Sequence, residues 1–162
     1  MTLSKLKSKR LWAGVLVACA CGGMALRLAR ATPGNGIMIT PIAGPGMMDE
    51  VDTKSLSADH QARISTKGVS DVYVAHIRIA PGGHSGWHSH PGPSILAVEA
   101  GTASIYHGHA PETAHVYDEG SAFVEDANSV HIVVNEGDTD LELVVLQIVP
   151  LGAPRRIDEP AP

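Results

Sequence analysis

From about residue 58 to residue 150 the chain is a succession of short apolar segments in which every second position is apolar. "DVYVAHIRIA" (71–80), "SILAVEA" (94–100), "SAFVE" (121–125) and "LELVVLQIV" (141–149) are the clearest, with "HQARIST", "SGWHSH", "ASIYH", "AHVYD" and "VHIVVN" between them. Turn formers separate them: Lys67-Gly68, Pro81-Gly82-Gly83, Pro91-Gly92-Pro93, Gly101, Gly108, Glu119-Gly120, Asp126-Ala127-Asn128 and Glu136-Gly137-Asp138. No helical period runs longer than two turns. Many strands of four to ten residues at close spacing predict an all-β barrel or sandwich over residues 58–150. Residues 32–57, rich in Gly, Pro and Met, carry no period. They are expected to form an arm crossing a surface, the chain's own or that of a neighbouring subunit. Residues 151–162 end the pattern in "GAPRRIDEPAP" and are expected to be a flexible tail.

The first 31 residues follow different rules. A basic head (Lys5, Lys7, Lys9, Arg10) precedes the apolar run "LWAGVLVACACGGMAL", which closes on Ala29-Arg30-Ala31. Those parts, in that order, predict a signal peptide over 1–31 and hence an exported, periplasmic or secreted protein. Two alternatives stay open. One is a permanent anchor, although the run falls short of the roughly 20 residues that span a bilayer. The other is a lipoprotein, because Leu16-Val17-Ala18-Cys19 resembles a lipobox.

Composition sharpens this picture. Cleavage after Ala31 would remove six of the twelve basic residues and none of the seventeen acidic ones, leaving a net charge of −11. Such a domain is not expected to bind nucleic acid or anionic lipid. Both cysteines, Cys19 and Cys21, leave as well, so stability must come from the core, a bound metal or contacts between subunits. With six aromatic residues in all, that core must be mainly aliphatic.

The densest chemistry lies in "GWHSHPGPS" (86–94). In an extended segment His88 and His90 project from one face about 7 Å apart, where both reach one cation if another strand brings a third donor. The run Gly82-x5-His88-x-His90-x3-Ser94-x6-Gly101 resembles the first motif of the cupins, G-x5-H-x-H-x3,4-E-x6-G. The run Gly120-x5-Asp126-x-Asn128-x2-His131-x3-Asn135 resembles their second, G-x5-P-x-G-x2-H-x3-N. Spacing agrees at every position. The departures are Ser94 for Glu, Asp126 for Pro and Asn128 for Gly, the last two still turn formers.

The resemblance implies a double-stranded β-helix, the cupin or jelly-roll barrel, with one divalent metal ion held by His88, His90 and His131. Ser94 stands where the family supplies a carboxylate. Glu99 cannot replace it, because five residues along a strand reverse the face. The expectation is therefore a three-histidine site that leaves the ion's charge uncompensated and favours an anionic or chelating small-molecule ligand. Iron is the favoured ion, by analogy with three-histidine dioxygenases, while Zn, Mn, Ni or Cu remain compatible with imidazole ligands. Ser94, Asn135, His76 and His84 are candidates for the substrate pocket, although Asn135 also suits a purely structural bond near the hairpin. Glu125, two residues past Phe123, is placed to reach the pocket rim as an acid or base. His107-x-His109-x5-His115 reads as solvated loop histidines or as a second metal site. The functional expectation is a metal-dependent enzyme, dioxygenase-like or lyase/isomerase-like, with a non-catalytic periplasmic binder or sensor as alternative. A homodimer is expected, with "ELVVLQIV" either buried in the barrel or at the subunit interface.

Overall fold

The computed structural model describes residues 31–162; the leader and both cysteines lie outside the described residues. The described chain contains twelve strands and no helix. In order they are β1 (Asn35–Met48), β2 (Asp52–Leu56), β3 (Gln61–Ser65), β4 (Ser70–His84), β5 (His88–Ser89), β6 (Ser94–Ala100), β7 (Thr102–His107), β8 (Ala110–Asp118), β9 (Ala122–Glu125), β10 (His131–Val134), β11 (Leu141–Pro150) and β12 (Ile157–Asp158).

All but β2 and β3 belong to one antiparallel sheet folded on itself. One half runs β1-β4-β11-β6-β9 and the other β12-β5-β10-β7-β8, joined where Val134 of β10 pairs with His84 of β4. The alternation read from the sequence decides what lies between the halves. On β11 the residues Leu141, Leu143, Val145, Gln147 and Val149 are buried, and on β6 the residues Ser94, Leu96 and Val98 are. These meet Ala75 and Ile79 of β4, Ala103 and Ile105 of β7, Phe123 and Val133 in an aliphatic core with few rings. Such side chains lose little rotamer entropy for the apolar area they bury, about 25 cal/mol per Å2 removed from water.

The flanks depart from expectation. The arm expected over 32–57 is largely β1, a fourteen-residue strand paired to β4 from Asn35↔His84 to Met48↔Ser70. Gly and Pro hid it by breaking its alternation: the register shifts at three places along the pairing. The segment "HQARIST" is a strand, but β3 pairs only with β2, in a hairpin outside the barrel sheet. The segment at the start of the expected barrel thus lies outside the main sheet, while β1, ahead of it, lies within it. The tail expected to fray is docked. Ile157 and Asp158 pair with Ser89 and His88, and Pro160 bridges back to Ala31.

Candidate metal centre

β5 is only two residues long, yet it is fixed at both ends. Gly86, two residues before His88, adopts φ +74°, and a Cβ there would overlap the carbonyl of Thr32. β5 is then sandwiched between β12 and β10, with His88 opposite both Asp158 and His131. The β9–β10 turn carries Asn128 at φ 58°, a left-handed conformation that asparagine tolerates, in place of the glycine of the sequence motif. That turn is tied to the site, since the Asn128 N–H donates to the carbonyl of His90 (2.7 Å).

These constraints bring the three imidazoles together inside the barrel. Ring centroids lie 4.8 Å apart for His88–His90, 4.4 Å for His88–His131 and 5.2 Å for His90–His131. A fourth donor joins them. Glu125, 3 % exposed, sets its carboxylate oxygens 3.1 Å from His90 Nε2 and 3.2 Å from His131 Nε2. One donor atom from each of the four residues falls within 4.8 Å of every other.

Glu125 was read from the sequence as no more than a rim residue. The register explains its place: Ser94 of β6 is the direct partner of Glu125 on β9. Facing residues in a ladder point to the same side. The carboxylate missing at Ser94 is thus supplied one strand across, and the small serine leaves room for it. The three-histidine set gains a carboxylate, which offsets one of the two charges a divalent ion would bring.

The donor set fits a metal on several grounds. The Nδ1 of each ring meets a backbone carbonyl: His88 with Gly86 (2.8 Å), His90 with Arg155 (2.7 Å) and His131 with Ser129 (2.8 Å). A carbonyl can only accept, so Nδ1 carries the proton and the neutral ring presents a lone pair at Nε2. The Nε2 atoms of His90 and His131 are buried without a hydrogen-bond partner, an expensive arrangement unless a cation takes the lone pair. Glu125 stands close to both but without hydrogen-bonding alignment.

Electrostatics follow from burial. Burial, then the neighbouring His131 and Arg156, lower the pKa of His88 to about 3. Burial alone would raise the Glu125 carboxyl, but close contact with His131 and His90 holds it well below the usual carboxylate range. Burial would likewise lower His131, and the contact and charge of Glu125 more than offset this, so His131 binds its proton more tightly than a free imidazole. Proton and cation compete for that Nε2.

Beside the donors lies a cavity of about 160 Å3. Its walls are apolar on the β1, β4 and β11 side (Ile37, Ile39, Ile77, Leu143, Val145) and polar at Gln147, Arg155 and Arg156. None of the four pocket candidates lines it. Ser94 is wholly buried and accepts a hydrogen bond from Gln147 Nε2 (3.2 Å). Asn135 is structural: its Nδ2 donates to the carbonyls of Ile79 and Thr139, and its Oδ1 accepts from the Gly137 N–H. His84 Nδ1 accepts from the Gly86 N–H (3.1 Å) and so braces the loop before β5. His76 faces outward on β4, its Nε2 3.0 Å from carboxylate oxygens of both Glu99 and Glu142. Glu99 lies on the outside, as parity required. His107, His109 and His115 stack on the β7–β8 hairpin with ring centroids 5.5 and 5.3 Å apart. They do not form a converging donor set like the one at His131.

Comparison with known proteins agrees with this fold. Residues 75–147 match the Cupin domain family. No curated protein matches the chain in sequence. Among solved structures, the polyketide cyclase RemF from Streptomyces resistomycificus superposes with a TM-score of 0.55 at 11 % identity, over 80 % of this chain and 77 % of that one. A cupin superfamily protein from Desulfitobacterium hafniense gives 0.48 at 11 % identity, over 71 % and 79 % of the two chains. An oxalate oxidase gives 0.43 at 26 % identity, over 49 % of this chain and 46 % of that one.

Proposed function

Starting from the premise that this chain carries a cupin domain, we propose that it is a metal-dependent enzyme acting on a small organic anion. The observation that carries the proposal is the buried convergence of His88, His90, Glu125 and His131, with the Nε2 atoms of His90 and His131 lacking any other partner. A mixed imidazole and carboxylate set suits a first-row divalent ion, and iron or manganese is the choice proposed here. Such an ion supplies Lewis acidity and one-electron chemistry.

The protein's own residues do the rest. Backbone carbonyls at Gly86, Arg155 and Ser129 hold the three rings in one tautomer and one orientation. The aliphatic wall keeps bulk water from the reacting centre. Gln147, Arg155 and Arg156 give the cavity a polar, positively charged side toward which an anion orients. Among the described residues, no carboxylate or imidazole outside the donor set lines the cavity, so no separate general base stands ready. That favours a reaction run at the ion, dioxygenase-type first and lyase-type second, over one run by side-chain proton transfer.

Export is part of the proposal, supported by the basic and apolar leader. So is a homodimer, supported by half-exposed Ile95 and Val124 facing outward on β6 and β9. Size-exclusion chromatography with light scattering tests the dimer.

The test of function is elemental analysis of the purified full chain, followed by oxygen uptake with diketones, thiols and small carboxylic acids. About one equivalent of iron or manganese per chain, with uptake or substrate loss, is the expected result. A metal-loaded protein that turns over nothing, yet melts higher with a bound ligand, would establish a binder instead. A protein that takes no metal overturns the reading.

A further inference from the structure

The family match ends at Gln147, but the cavity wall does not. Residues 155–159 return to β5, the strand that carries His88, and they are held there by several independent bonds. Ile157 and Asp158 pair with Ser89 and His88. The Glu159 N–H donates to the Trp87 carbonyl (3.0 Å), and Ser89 Oγ donates to the Glu159 carboxylate (2.9 Å). A segment so anchored puts its side chains at fixed places.

Arg155 and Arg156 both line the metal cavity. Their situations differ. Arg155 is held by its packing: Nε donates to Gln147 Oε1 (2.9 Å), the guanidinium lies 4.7 Å over the Tyr73 ring, and the backbone carbonyl takes the Nδ1 proton of His90. It positions a donor and a wall. Arg156 is tied only at Nε, to Asp158 Oδ1 (2.5 Å), so its two terminal nitrogens remain for another acceptor. A guanidinium presents parallel N–H groups that match a carboxylate in two-point contact. Beside it, a divalent ion with Glu125 as its one anionic ligand still carries net positive charge. The cavity volume, close to that of a cavity of about 150 Å3 that admits benzene, limits the occupant to about six heavy atoms.

We propose that the C-terminal segment 155–158 is the anion-selecting wall of the metal cavity. Arg156 binds a carboxylate of a two- or three-carbon acid whose remaining oxygen reaches the ion, while the backbone carbonyl of Arg155 orients His90. This rests on the metal reading above. Arg156 lies outside residues 75–147, the stretch that matches the family.

The test uses the full chain loaded with Co2+, whose visible absorption reports changes at the ion. Oxalate and its neutral counterpart oxamide are titrated into wild type, Arg156→Ala and Arg156→Lys, with cobalt equivalents and melting temperature measured for each. All three proteins are expected to hold the same cobalt and to melt alike. Oxalate should bind at least about tenfold more weakly to Arg156→Ala, with partial recovery in Arg156→Lys, while oxamide distinguishes none of them. Oxalate binding within twofold of wild type in Arg156→Ala, or no oxalate response in cobalt-loaded wild type, overturns the proposal and leaves the metal reading standing. Failure of wild type to take cobalt overturns both.

Discussion

Two groups of imidazole and carboxylate sit on opposite faces of one folded sheet. Inside, His88, His90, Glu125 and His131 are buried; outside, His76, Glu99 and Glu142 are at least partly open to water. Donor types and spacings are similar, and His76 Nε2 is even the closer to its carboxylates, at 3.0 Å from each. What differs is the far side of the rings. Each inner imidazole has its Nδ1 committed to a backbone carbonyl, so that Nε2 must find its partner in the centre. The outer imidazole spends Nε2 on ion pairs that water and salt weaken. Burial with a fixed tautomer makes a site out of residues that elsewhere make a surface network.

The largest test of that difference is paired alanine substitution. His131→Ala should lower metal affinity more than about 100-fold, beyond the range seen when only an outer partner of a ligand is removed. His76→Ala should keep the full equivalent, by elemental analysis after dialysis. Equal retention in both would erase the distinction.

The cross-strand carboxylate offers a sharper variant. Glu125→Ser should lose metal about as severely as the histidine variant. Adding Ser94→Glu returns a carboxylate to the facing position and should recover affinity to within about tenfold of wild type. A double variant no better than the single one would mean that Glu125 acts through its own strand alone.

Acid should destabilise the inner group in the absence of metal. The pKa of His88 is about 3 in the folded chain and about 6.5 in the unfolded one, so the unfolded state gains a proton first as pH falls. Its contribution is fully present above pH 6.5 and is lost progressively toward pH 3. Between pH 6.5 and pH 5 that amounts to about 2 kcal/mol. His107, also lowered by burial, shares this sign. The raised His131 acts above this interval, and the depressed Glu125 acts below about pH 4.5. Urea midpoints in EDTA check the slope, and His88→Gln should flatten it; a midpoint that rises on acidification would contradict it.

The smallest effect belongs outside. Glu99→Gln should change stability by less than about 1 kcal/mol, because exposed ion pairs rarely contribute more. Thermal melts at low and high salt measure it.

Most of the barrel was legible because its strands alternate. "SILAVEA" and "LELVVLQIV" fall on β6 and β11 almost residue for residue. The three histidines were legible because a spacing is a property of one strand or one hairpin. Glu125 was not, because its role depends on facing Ser94 across a ladder, and register between strands is invisible to a single segment. The signal available was an acid at the same parity as Phe123, an inward position where a lone charge is costly. β1 escaped because glycine, proline and bulges broke its period, and β12 because two residues make no pattern. Of the four pocket candidates, Ser94 and Asn135 stand at motif positions and His84 and His76 in the segments around them; none lines the cavity, and each side chain is held by a hydrogen bond or a close carboxylate.

The bond from His90 to the carbonyl of Arg155 has a consequence for biosynthesis. The brace lies 65 residues beyond the ring it aims, so the centre stays unfinished until that later stretch has been made and has folded back. A polypeptide clipped before residue 155 would possess every donor side chain and still lack the brace that aims one of them. Competence to load metal would thus report that the segment after β11 has docked.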